Sequence, residues 1–212
     1  MRLNDVDAEK VRAAFASKQW WIPTARQKFN LAVFGVRADS LKVGLWDDAL
    51  GVLFYGNGGL EVHVWRGTTD PGREGTAGAL NDGGVARLIP GRYPLCWTIG
   101  THKAGTKSAH RALVQRTDGV FKVWRDKIVD GALQASGRVY SDAGGLNMHG
   151  PWRDELSAVG DASWGCQVFH DHDDQVAFMA MCDAQVSNGY GSSFSYALFT
   201  ASELPVVLGA VR

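Results

Sequence analysis

Apolar residues along most of this chain fall in short runs separated by Gly, Asp and Asn, and only two segments show helical spacing. Residues 5–18 place Val11, Ala14 and Phe15 on one face behind a polar start that suits a helix cap. Residues 173–184 carry a second apolar stripe at the same spacing. The pattern therefore predicts one helix near the N-terminus and one late in the chain.

The short apolar runs predict strands, and the clearest is residues 60–65, where every second side chain from Leu60 is aliphatic. The predicted strands cover residues 31–36, 41–46, 52–55, 60–65, 92–99, 111–115, 120–125 and 194–200. Residues 69–84 and 100–110 are interpreted as long loops, where functional sites tend to lie. The predicted fold class is mainly β with two or three helices. An N-terminal helix and lead-in occupy residues 1–25, and a single domain occupies residues 26–212.

Composition limits the classes of function. The chain has 212 residues, of which 45% are hydrophobic and 21% are charged, as in an ordinary globular domain. The formal net charge is zero, which argues against nucleic acid or an anionic membrane as partner. The first residues form no apolar secretory signal, and no stretch has the length of a transmembrane helix. We therefore expect synthesis in a cytoplasm without an N-terminal export signal.

The three cysteines lie in different settings and offer no zinc-finger or CxxC spacing. Cys96 and Cys182 stand in apolar runs and are predicted to be small buried side chains. Cys166 directly follows Ser163, Trp164 and Gly165. Cys166 is therefore the cysteine whose sequence context suits a catalytic role.

His149 and Cys166 stand 17 residues apart and together suit nucleophilic catalysis. A cysteine attacks as the thiolate, and a neighbouring imidazole both takes its proton and stabilises the charge. Gly165 would let a substrate carbonyl approach, with backbone N–H groups as an oxyanion hole. Asp142, or a backbone carbonyl, would orient the far nitrogen of His149. The alternative is a buried, inert cysteine and a histidine that hydrogen-bonds within a polar turn.

The pair His149-Gly150, followed by Ser163-Trp164-Gly165-Cys166, resembles the signature of the L,D-transpeptidase catalytic domain family. Further segments resemble a branch of that fold found in tailed phages and prophages, which includes endolysins. These segments are residues 68–72, 89–93, 112–115, 123–126 and 165–168. The resemblance implies a β-sandwich of mixed sheets, a covalent acyl-enzyme on Cys166, peptidoglycan stem peptides as substrate and no cofactor or metal.

Two positions depart from that family. Trp164 stands where transpeptidases carry a second histidine, and Val168 replaces the usual Arg or Asn. Both changes remodel the acceptor side, so the resemblance favours a hydrolase of the phage lysin type. Such a protein would be made in the host cytoplasm and act in the periplasm or cell wall. A cross-linking transpeptidase, a non-catalytic wall-binding or virion protein, and an unrelated β-sandwich remain as alternatives.

Several further residues are candidates for the site. The predicted substrate-binding residues are Ser163, Trp164, Gly150, Asn147, His110 and His102. The segment between the last two is either a basic flap over the site or a plain surface loop. Among the eight Trp residues, Trp152 and Trp164 are candidates to line the cleft, whereas core packing accounts for the others.

Two polar segments have a structural interpretation that competes with a functional one. Residues 170–174 combine His and Asp, and their spacing favours a capped helix start over a metal site. Asp70 stands in a turn with Pro71 and Gly72, which indicates a structural role, although a loop could also carry Asp70 to the cleft.

Overall fold

A computed structural model describes residues 6–72, 83–129, 132–134, 137–141, 144–151 and 157–206. Two α-helices lie within this part of the chain, α1 (Ala8–Ser17) and α2 (His172–Ser187), together with one short 3₁₀ helix, Gly160–Ala162. The strands are β1 (Ala32–Arg37), β2 (Asp48–Tyr55), β3 (Leu60–Thr68), β4 (Val85–Leu88), β5 (Gly91–His102), β6 (His110–Gln115), β7 (Val123–Val129), β8 (Ala132–Gln134), β9 (Val139–Tyr140), β10 (Met148–His149), β11 (Gln167–Phe169) and β12 (Ser193–Thr200).

Eight of the described strands close into a barrel in the order β1, β12, β5, β6, β10, β11, β3 and β2. The pairs β1–β12 and β10–β11 are parallel and the other pairs are antiparallel, so the barrel is mixed. Strands β4, β7, β8 and β9 form a second sheet. The prediction of a mainly β chain is confirmed. The described strands do not establish the specific sandwich implied by the family resemblance, because the larger sheet closes on itself.

One core cluster is packed with aromatic side chains from the barrel strands and from α2. Trp65 of β3 meets Phe169 and Phe178 edge-on, with ring centroids 5.7 Å and 6.0 Å away. Phe178 belongs to α2 and is fully buried, and the buried face of that helix also carries Met179, Cys182 and two glutamines, whereas Val176 is exposed. Burial of one such ring contributes about 2–3 kcal/mol.

The N-terminal helix packs against the outside of the barrel. Phe15 of α1 lies edge-on to Phe34 of β1 and Phe199 of β12, with centroids 6.1 Å and 5.1 Å away. Val11 is completely buried one turn earlier. Asp7 caps the helix by accepting a hydrogen bond from the Glu9 N–H, at 2.8 Å. The helix is therefore part of the packed body.

The predicted strand over residues 41–46 is wrong. This segment forms turns, with Gly44 at φ +79° and Leu41 and Leu45 exposed, and only Lys42 makes a single β-bridge. The remaining predicted strands overlap β1, β2, β3, β5, β6, β7 and β12. The loop predicted over residues 100–110 is shorter than expected, because β5 and β6 extend into it and form a hairpin. Most of residues 69–84 lies outside the described residues.

Both helices were anticipated, and their ends follow ordinary capping chemistry. The second begins at His172, where the Asp171 carboxylate accepts a hydrogen bond from the Asp173 N–H at 2.7 Å. This confirms the capped helix start predicted for residues 170–174.

The described part of the chain also contains no helix of the length and hydropathy needed to cross a membrane.

Candidate active site

The register of two short parallel strands brings His149 and Cys166 to one face of the barrel. Met148 of β10 pairs with Gln167 of β11, and His149 pairs with Val168. Cys166 therefore lies opposite Asn147, one position earlier. Side chains two residues apart on a strand share a face, and in-register neighbours on paired strands do as well. His149 and Cys166 are thus diagonal neighbours on the face that points away from the core residue Met148.

The same face continues across β6 and β5 and adds two more histidines. His102 pairs with His110 across the β5–β6 hairpin, and β10 continues the sheet beside β6. The His102 and His149 rings are stacked, with centroids 3.9 Å apart and planes 12° apart. The His110 ring lies 5.2 Å from the His102 ring and 5.4 Å from the His149 ring. The sheet therefore gathers three imidazoles on the face that also carries Cys166.

The Cys166 thiol is buried and held by backbone groups. Its sulfur accepts a hydrogen bond from the Asn147 N–H and donates one to the Gly145 carbonyl, both at 3.5 Å. Burial raises the pKa of Cys166 to about 11, while the Asn147 N–H and the Lys103 ammonium oppose that rise. The thiol therefore carries its proton at rest, and a base must remove it before attack.

His149, the diagonal neighbour of Cys166 on this face, is the candidate for that base, although its Nε2 makes no hydrogen bond to the Cys166 sulfur within the described residues. Its Nδ1 lies 2.7 Å from the Gly150 carbonyl oxygen, which only accepts, so Nδ1 carries the ring proton. Burial, with a smaller contribution from His102, lowers the pKa of His149 well below its ordinary value. The ring is therefore neutral and Nε2 holds the free lone pair. A backbone carbonyl thus orients the histidine, which was one of the two predicted arrangements; the other candidate, Asp142, lies outside the described residues.

Asn147 links the thiol to His102. Its side-chain oxygen accepts from the Gln115 N–H at 2.9 Å, and its NH₂ group donates to His102 Nδ1 at 2.9 Å. Its own N–H contacts the Cys166 sulfur. Predicted as a substrate-binding residue, Asn147 lies where it fixes the orientation of two site residues.

The turn before Cys166 is built by Ser163 and Gly165. The buried Ser163 hydroxyl donates to the Cys166 carbonyl at 2.9 Å and accepts from the Gly165 N–H at 3.2 Å. Gly165 has φ +119°, and a Cβ there would lie 2.4 Å from the Ala86 carbonyl oxygen. A glycine is therefore required by the close approach of β4 as well as by its backbone angle.

The Cys166 N–H is available in this turn as a donor for an oxyanion. The Gly165 N–H is bound to Ser163, whereas the Cys166 N–H has no acceptor within the described part of the chain. Trp164, at the tip of the turn, keeps 40% of its surface exposed and can contact a substrate. Gly150 lies against α2, because a Cβ there would come within 2.9 Å of the Gln175 side chain.

A buried ionic network lies on the other side of the Cys166 turn. The Asp70 carboxylate pairs with Arg37 and with Arg87, each at 2.8 Å, and Arg87 also faces Asp126 at 3.7 Å. Asp48 accepts hydrogen bonds from the Thr69 N–H and hydroxyl. The Asp70 carboxylate is therefore paired with two buried arginines, in agreement with the predicted structural role.

Burial controls the charge state of other groups near this site. It raises the pKa of Asp48 to about 7, and repulsion by Asp70 adds to the rise.

Cys96 and Cys182 are buried free thiols, as predicted. No group of three or more metal-ligating side chains with suitable geometry occurs among the described residues. Trp152 lies outside them.

Lys103 belongs to the segment interpreted either as a basic flap over the site or as a plain surface loop, and its ammonium opposes the rise in the pKa of Cys166. The contact between the Gly145 carbonyl and the thiol was not predicted, because a backbone group leaves no side-chain pattern. Comparison of the chain with models of protein families, with curated proteins and with solved structures finds no match.

Proposed function

We propose that this protein is a cysteine-dependent hydrolase of peptidoglycan stem peptides, with Cys166 as nucleophile and His149 as base. The observation that carries the proposal is the strand register that places both side chains on one face. It is supported by the Gly150 carbonyl, which leaves His149 Nε2 as a proton acceptor. The substrate class rests on the resemblance of the His149-Gly150 and Ser163–Cys166 segments to the L,D-transpeptidase signature.

In the proposed reaction, His149 takes the thiol proton as Cys166 attacks an amide carbonyl of the stem peptide. The Cys166 N–H donates to the oxyanion that forms. The amide C–N bond then breaks, and the leaving amine takes the proton from His149. Water next hydrolyses the thioester and regenerates the thiol. Since the resting pair is neutral, proton transfer accompanies attack and does not precede it.

A phage lysin is the setting that we propose for this activity, with synthesis in a host bacterial cytoplasm and action in the periplasm or cell wall. The same resemblance carries the finer proposal that the barrel and second sheet represent a variant of the L,D-transpeptidase sandwich. A transpeptidase would need an amine acceptor beside the thioester. Trp164 occupies that side of the turn in place of the family's histidine, which favours hydrolysis.

A second candidate is a non-catalytic wall-binding or virion protein that keeps the fold as a scaffold. The observation that favours it is the buried thiol, since burial raises the pKa of Cys166 and a raised pKa lowers the population of the reactive thiolate. The position of His149 on the same face as the thiol favours the enzyme, because a scaffold does not require a base there.

Digestion of purified muropeptides, read by mass spectrometry, separates these functions. We would compare the wild-type protein with Cys166→Ala and with Cys96→Ala, which removes a buried thiol outside the site. We expect cleaved stem peptides from the wild type and from Cys96→Ala, and none from Cys166→Ala. Higher-mass products that require Cys166 would show a transpeptidase. Identical muropeptide profiles with and without the wild-type protein would contradict both enzymatic functions and leave the scaffold.

A further inference from the structure

The three clustered histidines each leave one ring nitrogen unused. Within the described residues, the Nε2 atoms of His102, His110 and His149 are buried and have no hydrogen-bond partner. His102 and His149 are also more than nine-tenths buried as whole residues. Buried polar atoms are almost always hydrogen-bonded, and leaving three close together unbonded is costly. The cluster therefore indicates a site for a small polar group.

The neighbours of the three rings determine which Nε2 atoms donate and which accept. His149 Nδ1 and His110 Nδ1 lie 2.7 Å and 2.8 Å from carbonyl oxygens of Gly150 and Ser108. A carbonyl only accepts, so each Nδ1 carries a proton, and a ring that holds no second proton has an accepting Nε2.

His102 has the opposite tautomer. The Asn147 oxygen is already bonded to the Gln115 N–H, so the Asn147 NH₂ group faces His102 Nδ1 and donates to it. The proton of the neutral His102 ring therefore sits on Nε2. Burial lowers the pKa of His102 to about 4, which keeps the ring neutral near pH 7. The cluster thus offers two acceptors and one donor.

One water molecule matches this set. Water donates two hydrogen bonds and has two lone pairs. His110 and His149 would accept the two hydrogens, and the His102 N–H would bind one lone pair. The second lone pair is then free to attack. The three ring centroids lie 3.9–5.4 Å apart, so the cluster is compact enough for one small molecule to serve all three. We propose that His102, His110 and His149 together hold the water that hydrolyses the acyl-enzyme, and that they select water over an amine. This inference rests on the proposed function.

The proposed step is balanced as follows. The water oxygen forms a bond to the thioester carbonyl carbon while one water proton passes to His149 Nε2. The C–S bond then breaks, and the Cys166 sulfur takes that proton back from His149. The products are the free thiol and a carboxylic acid that retains the second water hydrogen. His102 and His110 bind the water and exchange no proton.

An amine fits the same cluster poorly. It can donate two hydrogens to His110 and His149, but its single lone pair is needed for attack. The His102 N–H would then be left without an acceptor, which costs about as much as a lost buried hydrogen bond. The amine's substituent would also occupy the position next to His102. Selection of water therefore depends on the His102 donor.

The test measures how the acyl-enzyme partitions between water and glycinamide, with a muropeptide tetrapeptide as acyl donor. Products are quantified by mass spectrometry at increasing glycinamide, for the wild type, His102→Phe, His102→Gln and Arg111→Ala. Phe preserves a ring against His149 but has no donor, whereas Gln restores an N–H donor. Arg111 forms an exposed ion pair with Asp183 and serves as the control.

We expect the ratio of hydrolysis to aminolysis to fall about tenfold in His102→Phe and to recover in His102→Gln. Arg111→Ala should leave the ratio at its wild-type value. The partition ratio is insensitive to the fraction of folded enzyme, because both products come from the same acyl-enzyme. An acyl-enzyme that forms normally in His102→Phe, with an unchanged ratio, would overturn the water site and leave the proposed function intact. Failure of the wild type to form any acyl-enzyme would overturn both.

Discussion

The turn before the candidate nucleophile depends on a glycine that cannot be replaced without moving a strand. Substituting Gly165→Ala places a Cβ 2.4 Å from the Ala86 carbonyl oxygen, whereas ordinary contacts begin near 3.4 Å. Ala86 lies in β4 and is paired with Arg125 of β7. The strand therefore cannot retreat by the necessary distance of about 1 Å without weakening that pairing.

The expected cost has two parts, which a control variant separates. The positive φ of Gly165 disfavours any side chain by about 1–2 kcal/mol. The contact with β4 adds about 1–3 kcal/mol of overpacking. Gly191 has φ +78° and open space around its Cβ position, so Gly191→Ala carries only the first cost. We therefore expect Gly165→Ala to lose about 2–5 kcal/mol of unfolding free energy and Gly191→Ala about 1–2 kcal/mol.

Urea denaturation followed by tryptophan fluorescence measures both losses, from the midpoint and slope of each transition. The slopes should match that of the wild type, since neither substitution changes the surface exposed on unfolding. If the two variants lost equal unfolding free energy, the close approach of β4 to the Cys166 turn would have no energetic weight. Gly165 would then be required only because of its backbone angle.

Three further outcomes test the charge states and packing. Because the pKa of His102 falls from about 6.5 unfolded to about 4 folded, its contribution to unfolding free energy is present above pH 6.5 and lost as pH falls toward 4. Urea unfolding at several pH values in that window gives the change of unfolding free energy with pH. This change should be smaller in His102→Phe than in the wild type, by up to about 1.4 kcal/mol per pH unit, and an equal change would contradict the lowered pKa of His102. Tyr196→Phe removes the buried 2.8 Å hydrogen bond to the Gln167 side chain, and calorimetry should show a loss of about 1–3 kcal/mol; a neutral effect would mean that Gln167 finds another partner. Arg111→Ala breaks an ion pair with Asp183 that is about half exposed, so its cost should stay below about 1 kcal/mol and shrink in 1 M salt.

The sequence identified the histidine and cysteine of the candidate site but not the strand pairing that brings them to one face. His149 and Cys166 stand out because glycines and polar residues flank them, whereas β10 and β11 have only two and three residues. Strands this short have no periodicity to detect, and their pairing depends on the whole barrel. The parallel register that aligns the two side chains is therefore a tertiary property.

The positions of the other site residues depend on features that a side-chain pattern does not contain. His102 and His110 were noticed because they flank a basic segment, yet their shared face depends on the exact register of the β5–β6 hairpin. The orienting carbonyl of Gly150 is a backbone group, which no side-chain pattern reveals. The failed strand prediction over residues 41–46 arose because Gly44 interrupts an apolar run whose outer leucines are exposed.

The buried ionic network around Asp70 has a consequence for how the protein unfolds. Arg37 belongs to the barrel and Arg87 to the second sheet, and both bind the same Asp70 carboxylate. Detaching the second sheet alone would separate Arg87 from Asp70, and breaking a buried ion pair costs about 3–5 kcal/mol. The two sheets should therefore lose their structure in one cooperative event. In native-state hydrogen exchange, amides of β4 and β7 would then show the same protection free energy as those of β1.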